Sequence, residues 1–365
     1  MKEEMTSKER FVNALEMDGV DRVPYGYLWF GAGDAVLQRM GASMKDVYYS
    51  SKGIAKAQIL AREMYHHDNV MSPWGCMLAE VEGFGGKVNI RDNGYPTMDG
   101  YLLDSPGDYD RIDPDRFIKS ERVETVLESI SLLKKALNDE VFITGFMLPP
   151  LSLAFQLVDM TNLSMGMLME KEDTHDLMNR INESCILYAD KMLEAGADGI
   201  LFDNGGSTAD LFSQEMAEEF MFKYTKKLYR YVQANEGYVI SHNCAVHAFH
   251  EMEMAMSPDA LNFSYGEVDV IKERYGMDCV KMHRKSGCSP RYCLKELAYS
   301  GICLMGNIDS NIFGNGSSAD IEHEVNSCME AAPECGFILS TGCEIPLNTS
   351  HEKMDVLWNA LKSHF

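Results

Sequence analysis

The strongest constraint on the fold is a repeated alternation of short apolar segments with longer amphipathic ones. Eight short segments have the length and composition of buried strands, and they span residues 22–28, 68–73, 141–147, 199–204, 238–243, 260–265, 302–307 and 337–342. The longer segments between several of them carry apolar residues at helical spacing. Strand and helix alternating eight times predict an α/β protein built as a single (β/α)8 TIM barrel.

The helical pattern is clearest in the middle of the chain and at its start. Between Ser213, a predicted N-cap, and Gly237, one face carries Met216, Phe220, Tyr224, Leu228 and Tyr231. The segment from residue 171 has the same character and is predicted to end at Gly196. Thr6 and Glu9 have the spacing of a capping box, which predicts an N-terminal helical extension before the first strand.

The section between the second and third predicted strands, about 74 to 140, lacks a regular pattern. Its glycines, prolines and aspartates predict a loop-rich insertion after strand 2, with a possible hairpin, laid over the barrel. The chain shows no linker, low-complexity tract or repeat. Residues 1–365 are therefore predicted to form one domain.

Composition excludes several classes of partner. A net charge of −23 argues against nucleic acid and anionic membranes, which both require basic surfaces. The sequence has no apolar run of the roughly 18 residues that a membrane span requires, and its start lacks the apolar core of a signal peptide. We therefore predict a cytoplasmic protein with reduced thiols, although it contains ten cysteines. Its 26 methionines and ten cysteines would suit an anaerobic host.

Barrel enzymes carry their functional sites at the C-terminal ends of the strands. The ends of predicted strands four to eight therefore supply the candidate functional residues, which are Asp203, Asn204, His242, Cys244, Tyr265, Glu267, Asn307, Asp309, Cys343 and Glu344.

Three of these candidates have the chemistry of a metal site. His242 and Cys244 are two residues apart, so their side chains point the same way in an extended segment. Cys343 follows strand eight and opens onto the same mouth of the barrel. One imidazole and two thiolates favour zinc and leave one tetrahedral position open, as in a catalytic zinc site.

The remaining histidines and cysteines are interpreted differently. His247 and His250 follow on a predicted helix, where they face solvent or pack against the barrel. Cys303 lies deep in strand seven and is kept as an alternative partner for Cys343. Packing or surface roles are expected for Cys185 and Cys328, and a second small metal site is a further possibility for Cys279, Cys288 and Cys293.

Five segments resemble the uroporphyrinogen decarboxylase superfamily, in the same order along nearly the whole chain. They are "MTSKERFVNALEMDGVDRVP", "GADGILFD", "SHNCAV", "LMGNID" and "GFILSTGCEIPLNTSHEKM". Within that superfamily, the chain is most similar to the corrinoid-dependent methyltransferases, which include the methylcobamide:coenzyme M methyltransferases. "SPWGCMLAEVEGFGGKVNI", which contains Glu80, also resembles this branch.

The resemblance implies a zinc site and a corrinoid partner. In this branch a His-x-Cys after strand five and a Cys after strand eight bind zinc, and His242, Cys244 and Cys343 match those positions. The corrinoid cofactor is supplied by a separate corrinoid protein. Substrate-binding or orienting roles are expected for Asp203, Glu80, Asn307 and Tyr265.

Two directions of methyl transfer fit this resemblance. In the first, zinc lowers the pKa of a small thiol such as coenzyme M, and the thiol accepts the methyl group from the corrinoid. In the second, zinc polarises the ether oxygen of a methoxylated compound, and the corrinoid removes the methyl group. A non-catalytic zinc-binding or corrinoid-binding protein is the non-enzymatic alternative.

The sequence also departs from its relatives. The decarboxylases carry an arginine-rich motif after strand one, where this chain reads "YGYLWFGAG", so decarboxylation is disfavoured. Ala245 replaces the glycine that usually follows His-x-Cys, and residues 277–295 resemble an insertion. These departures put the substrate in question more than the metal.

Overall fold

Seven parallel strands form one sheet in the computed structural model, which describes residues 4–73, 78–92, 94–264 and 301–365. In sheet order the strands are β1 Asn69–Ser72, β4 Phe142–Met147, β5 Gly199–Asp203, β6 Tyr238–Asn243, β7 Ala260–Phe263, β8 Cys303–Ile308 and β9 Phe337–Thr341. Each agrees with its predicted strand to within two residues at either end. The expected α/β architecture with a TIM-barrel-like parallel sheet is confirmed.

The first predicted strand, residues 22–28, is not a regular strand in the structure. Tyr25 forms an isolated parallel bridge with Leu339 of β9, and its carbonyl accepts from Asp68 N at 2.8 Å, next to β1. The N–H groups of Tyr25 and Tyr27 donate to the side chains of Asp68 and Asn69 rather than to strand backbone. Pro24 has no N–H to donate. The segment thus contacts both edge strands without forming a ladder, which corrects the prediction of an eighth strand.

The helices follow the strands as expected for alternating units. They span Ser7–Leu15, Gly33–Met40, Met44–Tyr48, Ser51–Tyr65, Ala79–Gly83, Pro114–Ile118, Glu121–Ala136, Pro150–Leu157, Met160–Met169, Lys171–Ala195, Gln214–Ala217, Lys223–Ala234, His250–Ala255, Ile312–Asn315, Ser318–Ala331 and His351–Lys362. A 3₁₀ helix spans Pro106–Arg111, and a π-helical turn spans Glu218–Phe222.

The predicted helix boundaries are mostly confirmed. Thr6 and Glu9 form the capping box of the N-terminal helix. Ser213 caps the helix Gln214–Ala217, and Gly196 ends the long helix Lys171–Ala195 with a φ of 108°. Such a positive φ is the conformation that glycine adopts without strain.

The N-terminal helix is attached to the barrel by a buried ion pair. Arg10 is fully buried, and its guanidinium donates to Asp21 and to Asp68. Asp68 also accepts from Arg22 at 2.7 Å. Because buried charges require partners, this cluster ties the extension to the segment that precedes β1.

The section between β1 and β4 is more ordered than predicted. The expected hairpin is present, since β2 Val88–Asn89 pairs antiparallel with β3 Thr97–Met98. The 16-residue helix Glu121–Ala136 was missed, although Ser120 caps it. Its buried Val123, Val126, Ile130 and Leu133 recur at helical spacing, so the signal was present in the sequence.

The core consists of two apolar clusters. The larger one contains Phe142, Ile200 and Val239 of strands β4 to β6, and the smaller one contains Leu304 and Leu339 of β8 and β9. Among the described residues, no helix combines the length and apolar character needed to cross a bilayer.

Candidate metal site

The three predicted ligands come together at the C-terminal ends of β6 and β9. The candidate ligand atoms of His242, Cys244 and Cys343 all lie within 4.8 Å of one another. Zinc binds sulfur at about 2.3 Å and imidazole nitrogen at about 2.0–2.1 Å. One ion could therefore contact all three atoms after small side-chain movements.

Strand geometry explains how β6 and β9 present these ligands. Successive side chains on a strand point to opposite faces, so His242 faces away from its neighbours Ser241 and Asn243. Cys343 follows Gly342, where an added Cβ would lie 2.7 Å from the Cα of Ser264. Only glycine fits so close to the end of β7, and this close approach brings Cys343 to the shared mouth.

Asn262 determines which nitrogen of His242 is free to bind a metal. The Nδ2 of Asn262 donates to the carbonyls of Met305 and Thr341 at 2.8 and 3.1 Å, which turns its Oδ1 towards His242. The Nδ1 of His242 lies 2.5 Å from that oxygen and must be the protonated nitrogen. The buried Nε2 has no hydrogen-bond partner among the described residues. An unpartnered imidazole nitrogen beside two thiols fits a zinc ion.

Asp203, His242 and Asn262 lie side by side on β5, β6 and β7. Register pairs Asp203 with His242 and His242 with Asn262. The Oδ1 of Asp203 is 4.0 Å from the Nε2 of His242 and accepts from Gly205 N at 2.8 Å. Trp29 packs edge-on against the imidazole, with ring centroids 4.9 Å apart. The imidazole is thus held on three sides.

The two thiols of the site differ in acidity. The neighbouring Cys244 thiol and His242 imidazole lower the pKa of Cys343 to about 4, although burial opposes this. The proximity of Cys343 and burial both raise the pKa of Cys244. Cys343 is therefore a thiolate at neutral pH, while Cys244 would release its proton on binding a metal.

Charges around the site also shift the pKa of its other members. Burial alone would lower the pKa of His242, but Cys343 and Asp203 raise it to about 9. His242 would therefore release its Nε2 proton, and keep the proton on Nδ1, when it binds a metal. Burial raises the pKa of Asp203 and also that of Glu344, which reaches about 8.

A cavity of about 720 Å³ is lined by Cys244 and Cys343, while His242 is fully buried beside them. Apolar and aromatic side chains dominate its walls, and Asp203 and Glu344 add two carboxyl groups beside the candidate ligands. The described lining residues are Trp29, Leu78, Tyr95, Pro96, Thr97, Met98, Tyr101, Leu148, Ser152, Phe155, Gln156, Met160, Asp203, Gly205, Gly206, Leu211, Cys244, Cys343 and Glu344. Residues of β3 and the segments flanking it thus form part of the wall.

The predicted substrate-binding residues are not all at this cavity. Asp203 lines it, whereas Glu80 is buried and does not. The Oε1 of Glu80 accepts from Leu148 N at 2.9 Å, and burial raises its pKa to about 7. Asn307 is also buried away from the cavity, where its Oδ1 faces Cys328 of the helix Ser318–Ala331. Tyr265 lies outside the described residues.

The other histidines and cysteines lie apart from the three ligands. His247 is 2.5 Å from Asp210, and His250 packs against the ring of Phe263. Cys303 is buried within β8, and burial raises its pKa. Cys185 and Cys328 are buried thiols that donate to Leu148 O and to Asn307 Oδ1, respectively. Cys279, Cys288, Cys293 and the proposed insertion 277–295 lie outside the described residues.

Sequence reasoning missed Asn262 and Trp29. Asn262 is the one polar residue in the strand "ALNF", which was a usable signal, because a buried amide must be hydrogen-bonded. Trp29 follows the irregular first segment, where no strand pattern could orient its side chain.

Comparison with known proteins shows similarity to one protein family along nearly the whole chain. The family model described as Uroporphyrinogen decarboxylase (URO-D) matches residues 6–364. A methylcobamide:CoM methyltransferase, MtbA of Methanosarcina mazei, is 22% identical over 99% of both chains. Another, MtaA of Methanosarcina barkeri, is 26% identical over 60% of this chain and 64% of its own length. The chain therefore aligns with just under two thirds of that relative.

Other relatives carry a different name, and one solved structure is closely superimposable. A uroporphyrinogen decarboxylase of Magnetococcus marinus is 24% identical over 98% of this chain and 97% of its own. A methyltransferase structure from Methanosarcina mazei superimposes with a TM-score of 0.83 at 21% identity, covering 99% of both chains. At that identity the superposition establishes the fold alone.

Proposed function

Since the chain belongs to the uroporphyrinogen decarboxylase (URO-D) family, we propose that it is a zinc-dependent methyltransferase that moves a methyl group between a corrinoid protein and a small substrate. The proposed zinc ligands are His242, Cys244 and Cys343. The proposal includes the closed eight-unit barrel of the family and a cytoplasmic location, where thiols stay reduced.

The main support for this proposal is that three candidate ligand atoms lie together beside a large cavity. Three protein ligands leave one tetrahedral position for a substrate, as catalytic zinc sites do. A non-catalytic zinc protein would instead close the site with a fourth protein ligand. Among the described residues, three side chains and no fourth lie close enough together to bind one metal ion. The methyltransferase names of two relatives point the same way.

Bound zinc would supply the Lewis acidity that lowers the pKa of a thiol or polarises an ether oxygen. Residues around the candidate ligands orient the imidazole of His242 and place a carboxyl group beside the cavity. Asn262 keeps the proton on Nδ1 of His242, and Trp29 fixes the plane of the ring. Asp203 lies beside both His242 and the cavity, where it can orient a substrate or accept its proton.

The cavity entrance suits a partner that brings its cofactor to the site. Tyr101, Met160 and Leu211 line the cavity and remain 48%, 46% and 43% exposed. They therefore connect the site to the surface. A cavity of about 720 Å³ has the size of a small-molecule site, so we propose that it holds the substrate and that a corrinoid protein presents its cofactor at this entrance.

The preferred substrate is a small thiol such as coenzyme M, which accepts the methyl group. The MtbA and MtaA relatives are named for this compound. A methoxylated aromatic donor is the second candidate, because Trp29, Tyr95, Tyr101 and Phe155 line the cavity and provide surfaces for stacking. Glu80, Asn307 and Tyr265 stay proposed substrate contacts, with Glu80 and Asn307 requiring movement to reach the cavity.

Decarboxylation of a porphyrinogen is not proposed. Such a substrate carries eight carboxylates, whereas Asp203 and Glu344 add carboxyl groups to this cavity. The described lining residues include no arginine or lysine that could pair with those carboxylates.

The direct test is incubation of the zinc-loaded protein with methylcobalamin and a series of thiols. We expect the visible spectrum of cobalt to report demethylation when a suitable thiol is present. Co(I) cobalamin with methoxyarenes tests the opposite direction. Cys343→Ala is the control and should lose both metal and transfer. Absence of transfer in either direction, even with a corrinoid protein from the same genome, would refute the proposal.

A further inference from the structure

A buried carboxyl group lies behind the candidate metal site and has no part in the mechanism above. Glu253, on the helix His250–Ala255, is fully buried and does not line the cavity. Its Oε1 accepts from Asn243 Nδ2 at 2.6 Å, and its Oε2 accepts from Ser241 Oγ at 3.1 Å. Ser241 and Asn243 are the two residues that flank His242 in β6.

The alternation of side chains along β6 gives these two bonds their significance. His242 points towards Cys244 and Cys343, so Ser241 and Asn243 point to the opposite face, where Glu253 binds both. One carboxyl group thereby holds the strand immediately before and immediately after the histidine. A rotation or slip of β6 at His242 would break at least one of the two bonds.

The same hydrogen bonds extend to the second ligand. The Oδ1 of Asn243 accepts from Ala245 N at 3.0 Å, which fixes the turn that carries Cys244. The Nδ2 of Asn243 also donates to Ser207 O at 3.0 Å. The amide of Asn243 thus links Glu253 to the backbone immediately after Cys244 and to the loop after β5.

The hydrogen bonds of Ser241 explain why its hydroxyl group needs an acceptor on the side of Glu253. Its Oγ accepts from Asn204 Nδ2 at 3.1 Å and from Tyr229 OH at 3.0 Å. With both acceptor positions used, the hydroxyl hydrogen has Glu253 as its acceptor. Burying a carboxyl group away from water is costly, so its presence behind the strand requires an explanation beyond packing.

We propose that Glu253 is a positioning residue that holds His242 and Cys244 in ligand geometry and thereby raises the affinity of the site for its metal. This inference rests on the proposed zinc site. It concerns the affinity for the ion and the shape of the site, not the identity of the substrate.

The test compares metal binding by the wild-type protein and Glu253→Leu. Zinc dissociation constants come from competition with a chromophoric chelator, and the visible bands of the Co²⁺-substituted protein report ligand geometry. We expect Glu253→Leu to bind zinc about ten- to a hundredfold more weakly, the usual effect of removing an outer partner of a metal site. Its cobalt bands should also shift.

Asp259→Leu is the matched control, because Asp259 is also a carboxyl group that bonds to β6 from outside the strand. Asp259 accepts from Val239 N at 2.7 Å, near the start of β6 and away from the ligands. Both variants remove a carboxyl group that holds β6, so both should lower the denaturation midpoint in urea. Only Glu253→Leu should change zinc affinity and the cobalt spectrum. If Glu253→Leu does not fold, Glu253→Gln is measured instead, and it should weaken zinc binding by at least about threefold because one of the two acceptors is lost.

Two results would overturn the proposal. One is wild-type zinc affinity and an unchanged cobalt spectrum in the folded Glu253 variant. The other is an equal loss of affinity in Asp259→Leu, which would mean that general loosening of the strand is responsible. If the wild-type protein binds no zinc, the proposed function itself fails, so the two failures can be told apart.

Discussion

Replacing Asn262 with leucine should weaken zinc binding while leaving the barrel folded. Asn262 accepts from His242 Nδ1, and its own amide donates to the carbonyls of Met305 and Thr341. Leucine has a similar volume but can form none of these hydrogen bonds. The imidazole of His242 would then be free to place its proton on Nε2, where it competes with the metal.

The size of the effect follows from the hydrogen bonds that leucine cannot form. Removing an outer partner of a metal-binding histidine costs about ten- to a hundredfold in affinity, or about 1.4–2.8 kcal/mol. Loss of the two hydrogen bonds to carbonyls adds a separate loss of folding stability of about 0.5–1.5 kcal/mol each, since the Thr341 carbonyl keeps Ser340 Oγ as a donor. Asn262→Leu should therefore lower the free energy of unfolding by about 1–3 kcal/mol in addition to its effect on zinc.

Asn262→Asp separates the two effects. Aspartate still accepts from His242 Nδ1 but cannot donate to either carbonyl. It should bind zinc within about threefold of the wild-type protein, while its unfolding free energy should fall at least as far as that of the leucine variant. Asn182→Leu is the control for loss of a buried amide, because Asn182 is buried on the helix Lys171–Ala195 and is not part of the candidate metal site.

Chelator competition at pH 7 measures the zinc dissociation constants, and urea unfolding measures stability. Wild-type affinity in a folded Asn262→Leu variant would refute the tautomer argument. So would an aspartate variant that binds zinc more weakly than the leucine variant, because the acceptor for Nδ1 would then be irrelevant.

Three further predictions concern the ligands and the buried charges. Cys244→Ser and Cys343→Ser should each reduce bound zinc from about one equivalent to below about 0.2, as measured by elemental analysis after dialysis. Burial raises the pKa of Glu80 from 4.5 to about 7, so the folded protein holds a proton that the unfolded chain releases. The stability from this proton is complete below pH 4.5 and is lost towards pH 7 at up to about 1.4 kcal/mol per pH unit. Glu80→Gln should remove that slope, and equal slopes in urea unfolding of the two proteins would contradict it. Arg10→Ala should cost about 1.5–3 kcal/mol of unfolding free energy, because Asp21 loses its cation while Asp68 keeps Arg22; a loss below about 1 kcal/mol would show that the charge of Asp21 is solvated.

The sequence alone was sufficient for the strand–helix alternation and for the metal-binding triad as a hypothesis. Seven of the eight predicted strands are strands in the structure, because each is a short, largely apolar run, a property of residues adjacent in the chain. The spacing of His242 and Cys244 is equally local. Cys343 was placed beside them because parallel strands in a barrel end at the same mouth.

Contacts between residues that are distant in the chain determined the features that the sequence did not predict. Residues 22–28 have a strand-like composition, but the side chains of Asp68 and Asn69 accept from the N–H groups of Tyr25 and Tyr27, and no local pattern reveals such partners. Glu80 is next to a cavity-lining segment in the chain, yet its side chain turns towards Leu148 N. The helix Glu121–Ala136 is a different case, since its periodicity was visible and was overlooked.

In the candidate site, too, some residues can be recognised from the sequence and others only from the folded structure. His242 is identified by its neighbours in the chain, whereas Asn262 and Glu253 act on β6 from 20 and 10 residues away. Their roles depend on the register between β6 and β7 and on the side of the strand that faces each helix. A hydrogen bond requires two atoms at a defined distance and angle, and only the folded chain brings such distant residues into that arrangement.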